Sequence, residues 1–248
     1  MDSHDTPDTR TFRFQGLRLT WYGHAAFQLQ SSQGKSIFID PWLDNPNSPV
    51  DASEISDIDF IALTHGHADH IGNTLELARQ SGAPVIGIFE IAQYLVSRGL
   101  NDDQAVGMNI GGTFTSDGVQ FSMVPALHSS GIAGENGVID GGAPAGFVIE
   151  FENGYSVYHT GDTDLFSDMQ YIREFYQPNL MLACIGDHFT MGPRKAARSI
   201  ELIQPEYVIP MHYGTFPLLT GTPEALIEAA AEEYKQSVIV AEPGEIVS

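Results

Sequence analysis

One short apolar run after another in this chain ends on a histidine or an aspartate. "LRLTWYG" leads to His24, "SIFI" to Asp40, "FIALT" to His65, "FSMVPAL" to His128, "YSVYHTG" to Asp162, "LMLACIG" to His188 and "YVIPM" to His212. Strands with their polar residues at the C-terminal end belong in a layered α/β fold, where that edge gathers the ligand-binding loops. The densest case is "LTHGHADHIGN", Leu63 to Asn73, where three of the nine histidines and an aspartate fall within six residues. Clustered imidazoles repel when protonated and waste hydrogen bonds when buried. A cation that binds neutral imidazole removes both problems.

The rest of the pattern supports layers. "TFRFQ", "LRLTWYG", "AFQLQS" and "KSIFIDP" are rich in β-branched and aromatic residues and predict strands, with a hairpin turn at "SSQGK". Helical spacing follows in "HIGNTLELARQSG" and "EIAQYLVSRG", each stopped by glycine, with "PVIGI" as the strand between them. Hairpins are predicted at Asp117-Gly118 and at Asn153-Gly154. Helices are expected over 165–176, 192–204 and 222–236, the last capped by Thr222 with Pro223 at its first position, and "SVIVA" is expected to close the chain as a strand. Strands followed by strand–helix alternation, twice over, suggest two sheets face to face with helices outside. Residues 1–10 read as a flexible tail containing His4, and 11–248 as a single domain without linker or repeat.

Composition excludes several classes. The one cysteine, Cys184, rules out an intrachain disulfide and a thiolate zinc cluster, and its apolar neighbours suggest a buried thiol. Eleven Lys and Arg against 32 Asp and Glu give a formal charge of −21, which repels nucleic acid and anionic lipid. No apolar run approaches the roughly 20 residues of a membrane span, and the start "MDSHDTPDTR" reads without a leader, so a cytoplasmic location is expected. Oligomerisation leaves no signature here, and a homo-oligomer is compatible with the sequence. No nucleophile elbow, Walker loop or strand-linked dinucleotide fingerprint occurs.

Within "HGHADH", residues two apart in a tight turn can grip one ion, so His65 and His67 pair. Asp69 and His70 continue into a helix and can face a neighbouring position, and Gly66 relieves crowding. With His128, Asp162 and His212 the chain offers five imidazoles and two carboxylates. That is too many for one tetrahedral zinc and suits two ions about 3.5–4 Å apart.

"HGHADH" resembles the H-x-H-x-D-H signature of the metallo-β-lactamase superfamily. "TGDT" resembles that family's aspartate motif and "PMHYGTF" its last histidine motif. "WYGHAAFQL", "IFIDPWL" and "IGDHFTMGP" are similar to the small metal-dependent hydrolase branch, with ascorbate-6-phosphate lactonase-like and phospholipase-D-like members. The resemblance implies a four-layer αβ/βα sandwich, an α/β fold of two mixed sheets face to face with helices outside. It implies one metal at His65, His67 and His128, a second at Asp69, His70 and His212, and Asp162 as bridge. It implies that Asp40 supports the site by hydrogen bonding. Two divalent ions, Zn2+ foremost with Mn2+ or Fe2+ as alternatives, would make hydroxide from a bridging water. That hydroxide would cleave a small-molecule ester-type substrate, a lactone or a phosphodiester. Asp69 would orient the attack, and His188 or His24 would serve the leaving group.

Two other classes fit the same ligand set: an iron-containing, dioxygenase-like redox enzyme, and a metal-binding protein without catalysis. His159 lies inside a strand and is read as structural. The glycine-rich segment 129–146 is read as a flap over the substrate or a solvated loop, and Trp42 and Phe189 as pocket or core residues.

Overall fold

The computed structural model describes residues 13–248. The expected tail 1–10, with His4, lies outside them. The first half carries β1 (Arg18–Trp21), β2 (Phe27–Gln30), β3 (Ser36–Ile39), β4 (Phe60–Ala62), α1 (Ala68–Ile71), α2 (Thr74–Ser81), β5 (Val85–Ile88), α3 (Phe89–Ser97) and β6 (Ala105–Met108). The second half carries β7 (Thr113–Ser116), β8 (Val119–Pro125), β9 (Gly131–Gly134), β10 (Gly137–Asp140), β11 (Ala145–Glu150) and β12 (Ser156–His159). It continues with α4 (Met169–Tyr176), β13 (Leu180–Cys184), α5 (Pro193–Ile203), β14 (Tyr207–Met211), α6 (Pro223–Ala229) and β15 (Ile246–Val247).

These strands build two large mixed sheets, ordered β15-β1-β2-β3-β4-β5-β6 and β14-β13-β12-β11-β8-β7, plus the small pair β10-β9. The sheets share an apolar interior: Phe60 on β4 packs against Phe121 on β8 at 5.3 Å between ring centroids. Helices lie against the sheets, α3 on β5 and β6 and α5 on β13. This is the α/β sandwich that the sequence resemblance implies. Among the described residues, no helix is long and apolar enough to cross a membrane.

Strand direction is what creates a site. β3, β4, β5 and β6 are parallel, and β1 runs with them because two antiparallel pairings separate β1 from β3. In the other sheet β12, β13 and β14 are parallel, and β8 joins them through antiparallel β11. Within each sheet the residues after β1, β3 and β4, and those after β8, β12, β13 and β14, therefore emerge at one end.

Local departures from expectation have physical causes. The single helix expected over 70–82 is broken into α1 and α2 at Gly72, whose φ is +37°. A Cβ there would lie 2.4 Å from Trp42 Cα. The break is stitched to the Pro41–Leu43 loop, with Asn73 N–H donating to the Pro41 carbonyl and Leu43 N–H to Asn73 Oδ1. The helix expected over 222–236 ends at Ala229 because Ala230 is extended, and a 3-10 turn at Glu232–Ser237 follows. Thr222 does cap it, accepting from the Ala225 N–H.

"SVIVA" forms no strand. Val238 makes an isolated bridge to Val208, and Pro243-Gly244 then turns the chain so that β15 closes the sheet beside β1. Residues 13–16 form a turn instead of the expected strand, with Phe14 buried against Tyr155 and Tyr207. β6, a partly exposed strand interrupted by Gly107, has no alternating apolar pattern and escaped the sequence reading. The segment 129–146 is neither loose flap nor loop at its centre: β9 and β10 form a hairpin. Its base is pinned by Ser130, whose Oγ accepts from Gly66 N–H and donates to the Gly141 carbonyl.

Candidate metal centre

Asp162 follows β12 and is buried, and its Oδ2 is the point on which four imidazoles converge. His212 Nε2 lies 2.9 Å away, His70 Nε2 3.3 Å, His128 Nε2 3.5 Å and His65 Nε2 3.9 Å. His67 completes the group, with its Nδ1 3.0 Å from His65 Nε2 and 3.3 Å from His128 Nε2. Two ligand atoms on one tetrahedral zinc sit about 3.3 Å apart, so these spacings are those of a coordination shell.

The hydrogen-bond accounting points the same way. His70 Nε2, Asp162 Oδ1 and both ring nitrogens of His212 are buried without a hydrogen-bond partner. His212 Nε2 is close to the carboxylate but not aligned to bond it. Buried polar atoms are rarely left unpaired, and four in one cluster fit a site built to hold a cation. Ligand atoms of His65, His67 and His128 form one compact set, and those of His24, Asp69, His70 and His212 another. Asp162 lies between them.

The surroundings fix how each ring is presented. Asp40, after β3, accepts from Thr64 N–H at 2.8 Å and from Thr64 Oγ1 at 2.6 Å. The same carboxylate lies 2.7 Å from His70 Nδ1, so this nitrogen donates and His70 Nε2 keeps its lone pair toward Asp162. Because the Thr64 hydroxyl donates to Asp40, it accepts from His65 Nδ1 at 3.0 Å, which leaves His65 Nε2 free in the same way. One carboxylate thus orients an imidazole in each set. His24 Nε2 contacts Asp69 Oδ2 at 3.1 Å, His24 Nδ1 contacts Thr215 Oγ1 at 3.0 Å, and the His24 ring lies 3.9 Å from that of His212. The His24 carbonyl accepts the His212 N–H, tying the two sheets together at the site.

Three of these residues, His24, Asp40 and His212, adopt left-handed backbone, with φ of 51°, 45° and 58°. Such conformations cost on the order of 1 kcal/mol or more each and persist where the surroundings hold them.

Charge and burial shape the titration. Burial lowers the pKa of His65, His67 and His128, keeping them neutral and able to donate a lone pair. Burial also takes His24 down to about 4, against the pull of Asp69. Asp162 is opposed by burial yet held well below the carboxylate range by His212 and His70. His70 moves the other way: burial works against its charge, but Asp162 and Asp40 outweigh it and raise the pKa.

A cavity of about 800 Å³ opens onto this cluster and is lined by His67, Asp69, His128, Asp162 and His212 on one side. Trp42, Phe189, Phe216, Pro217 and Leu218 form the other side. Neither His24 nor His188 borders it. His24 is buried behind Asp69, and His188 is exposed with its ring against Phe189. Of the two residues expected to serve the leaving group, His24 thus contacts Asp69 and His188 contacts Phe189.

His159 is structural, as expected. Its Nε2 donates to the Ala25 carbonyl at 3.1 Å and its Nδ1 accepts from Gly161 N–H at 3.1 Å. Cys184 is buried with its thiol pushed up to about 12 by burial, which makes it inert. Thr64, Ser130 and Thr215 were missed in the sequence. The only signal was adjacency of the first to His65 and of the last to "PMHYG".

Comparison with known proteins agrees with this geometry. A family model described as a beta-lactamase superfamily domain matches residues 35–213. A UPF0173 metal-dependent hydrolase of Methanosarcina mazei is 46% identical over 232 residues, spanning 93% of this chain and 98% of the relative. One from Chloroflexus aurantiacus is 46% identical over 238 residues, with 94% and 98% covered. Among solved structures, Igni18, described as a novel metallo hydrolase from Ignicoccus hospitalis, is 38% identical. It superposes with a TM-score of 0.82 over 93% of this chain and 97% of its own. The chain belongs to the beta-lactamase superfamily and, within it, to the UPF0173 metal-dependent hydrolases.

Proposed function

We propose that the protein binds two divalent cations, Zn2+ foremost with Mn2+ or Fe2+ as alternatives, and hydrolyses a small ester-type substrate, a lactone or a phosphodiester. The observation that carries this is the single carboxylate oxygen of Asp162, shared by imidazoles of two ligand sets. In this reading His65, His67 and His128 hold one ion, Asp69, His70 and His212 the other, and Asp162 bridges. Bound there, the ions would supply a water acidified toward neutrality and a positive charge for the oxygen that becomes negative.

The chain's own residues do the rest. Asp69 has its Oδ2 held by His24, which leaves Oδ1 to accept a proton from the attacking water and return it to the leaving group. Asp40 and Thr64 keep His65 and His70 in the tautomers that ligation requires. Trp42, Phe216 and Pro217 place apolar surface beside the reacting face. A small-molecule substrate and a cytoplasmic location are part of the proposal, as is the absence of nucleic-acid or membrane partners, which rests on the acidic charge of −21.

The test is elemental analysis joined to a hydrolysis panel. Wild type should carry close to two metal equivalents and lose activity to a chelator. Asp162→Ala should drop below one equivalent and lose activity by at least about a thousandfold, the scale of losing a metal's charge stabilisation. Undiminished hydrolysis by Asp162→Ala or by metal-stripped protein would rule the proposal out.

A further inference from the structure

The side of the cavity facing the metal-binding cluster is apolar throughout. Trp42 and Phe216 stack with centroids 5.7 Å apart and planes 24° from parallel. Both rings rest edge-on against His24, at 5.1 and 5.5 Å, so the aromatic pair is braced by the residue that positions Asp69. Phe189 and Leu218 complete the wall, about half exposed at the mouth. Among the described residues, no lysine or arginine lines the cavity. Arg194, Lys195 and Arg198, three of the chain's eleven basic residues, line a separate cavity with Asp187 and Gly192.

We infer that the site selects an uncharged carboxylic ester or lactone bearing an aryl or alkyl substituent, which lies on the Trp42–Phe216 pair while its carbonyl meets the metal-binding cluster. This rests on the hydrolase reading above. The wall decides between the two ester classes. A neutral ester brings no charge to it, and the single negative charge that develops on its carbonyl oxygen falls on the cluster side. A phosphodiester arrives already negative and gains a second charge in its transition state, and no side chain of the wall can meet it. The apolar wall would also have to desolvate that anion without compensation.

The reaction balances with water alone. The water oxygen bonds to the carbonyl carbon, and the acyl C–O bond breaks with its electron pair leaving on the alkoxide. One water proton passes through the Asp69 carboxylate to that alkoxide, and the acid product releases the other to solvent.

The test uses the zinc-loaded full-length protein and three substrates: a phenyl-substituted γ-lactone, the same lactone with a carboxylate on its ring, and bis(4-nitrophenyl) phosphate. The phenyl lactone should exceed its carboxylated analogue by about tenfold or more in kcat/KM, and exceed the phosphodiester once each rate is divided by its uncatalysed rate. Leu218→Arg, at an exposed position of the mouth, should shrink or reverse the preference between the two lactones with metal content unchanged. A nitrophenyl γ-lactam, read by saturable quenching of tryptophan fluorescence, should bind wild type and weaken about tenfold in Phe216→Ala. Only Trp42 of the two tryptophans lines the cavity. Equal or inverted lactone preference in wild type, or preferred phosphodiester turnover, overturns the inference while leaving a hydrolase. No turnover of any of the three overturns the hydrolase reading itself, and absence of quenching removes the aromatic platform independently.

Discussion

Asp40 stands one step behind the metal-facing imidazoles and governs two of them. It is fully buried, and its carboxylate bonds to Thr64 and His70. Replacing it with Asn keeps the shape but turns one oxygen into a donor facing the His70 N–H or the Thr64 hydroxyl. Asp40→Asn should therefore weaken metal affinity roughly 10–100-fold, as measured by competition with a chromogenic chelator, while the far-ultraviolet circular dichroism stays unchanged. Unaltered affinity would show that the ligands orient themselves. His159 acts through stability instead. Its two backbone contacts need the neutral ring, and burial depresses its pKa. Below about pH 6.5 the unfolded chain takes up a proton that the folded state refuses, so stability falls as pH drops. Urea midpoints of metal-stripped protein should decline between pH 7.5 and 5.5, and more shallowly in His159→Gln, whose amide can offer the same donor and acceptor. Parallel slopes for the two proteins would contradict the assignment.

At the scale of elements, the break between α1 and α2 matters more than either helix. α1 is one turn long and carries Asp69 and His70. It is aimed by Gly72, whose positive φ and contact with the Trp42 backbone leave no room for a side chain. Gly72→Ala should cost more than about 2 kcal/mol in unfolding free energy, from backbone strain plus the clash. It should also lower metal content at the set that Asp69 and His70 serve. A stable, fully metallated Gly72→Ala protein would show that the Pro41–Leu43 loop can yield. The β9–β10 hairpin belongs to the same level: Ser130 fastens its base to Gly66, between two ligand histidines.

For the whole molecule, the metal-binding cluster is a seam. Its side chains come from α1 and from the ends of β4, β8, β12 and β14, strands that belong to both sheets. Cations bound there would cross-link the halves in the native state alone. At ion concentrations about a thousandfold above Kd, linkage contributes about 4 kcal/mol. Chelation should then lower Tm by roughly 10 °C for a chain of this size, reversibly on adding zinc. A melting temperature indifferent to chelator would count against a metal that joins the sheets.

The residues that converge on Asp162 were legible in the sequence because coordination chemistry constrains residue type and local spacing together: "HGHADH" has few other uses. Strand ends followed by His or Asp were legible for the same reason, and they pointed to an edge of a layered fold. The tertiary structure alone decided what those residues do to one another. Contacts such as His24 to Thr215 span 191 residues, and no local pattern encodes them. The left-handed backbone at His24, Asp40 and His212 is imposed by packing against the preferences of those residues. Gly72 looked like part of a helix until the Trp42 backbone was seen against it, and "SVIVA" looked like a strand until β15 was found beside β1. Local chemistry is written in short stretches of chain, whereas orientation depends on which distant segments meet, and only the folded molecule holds that information.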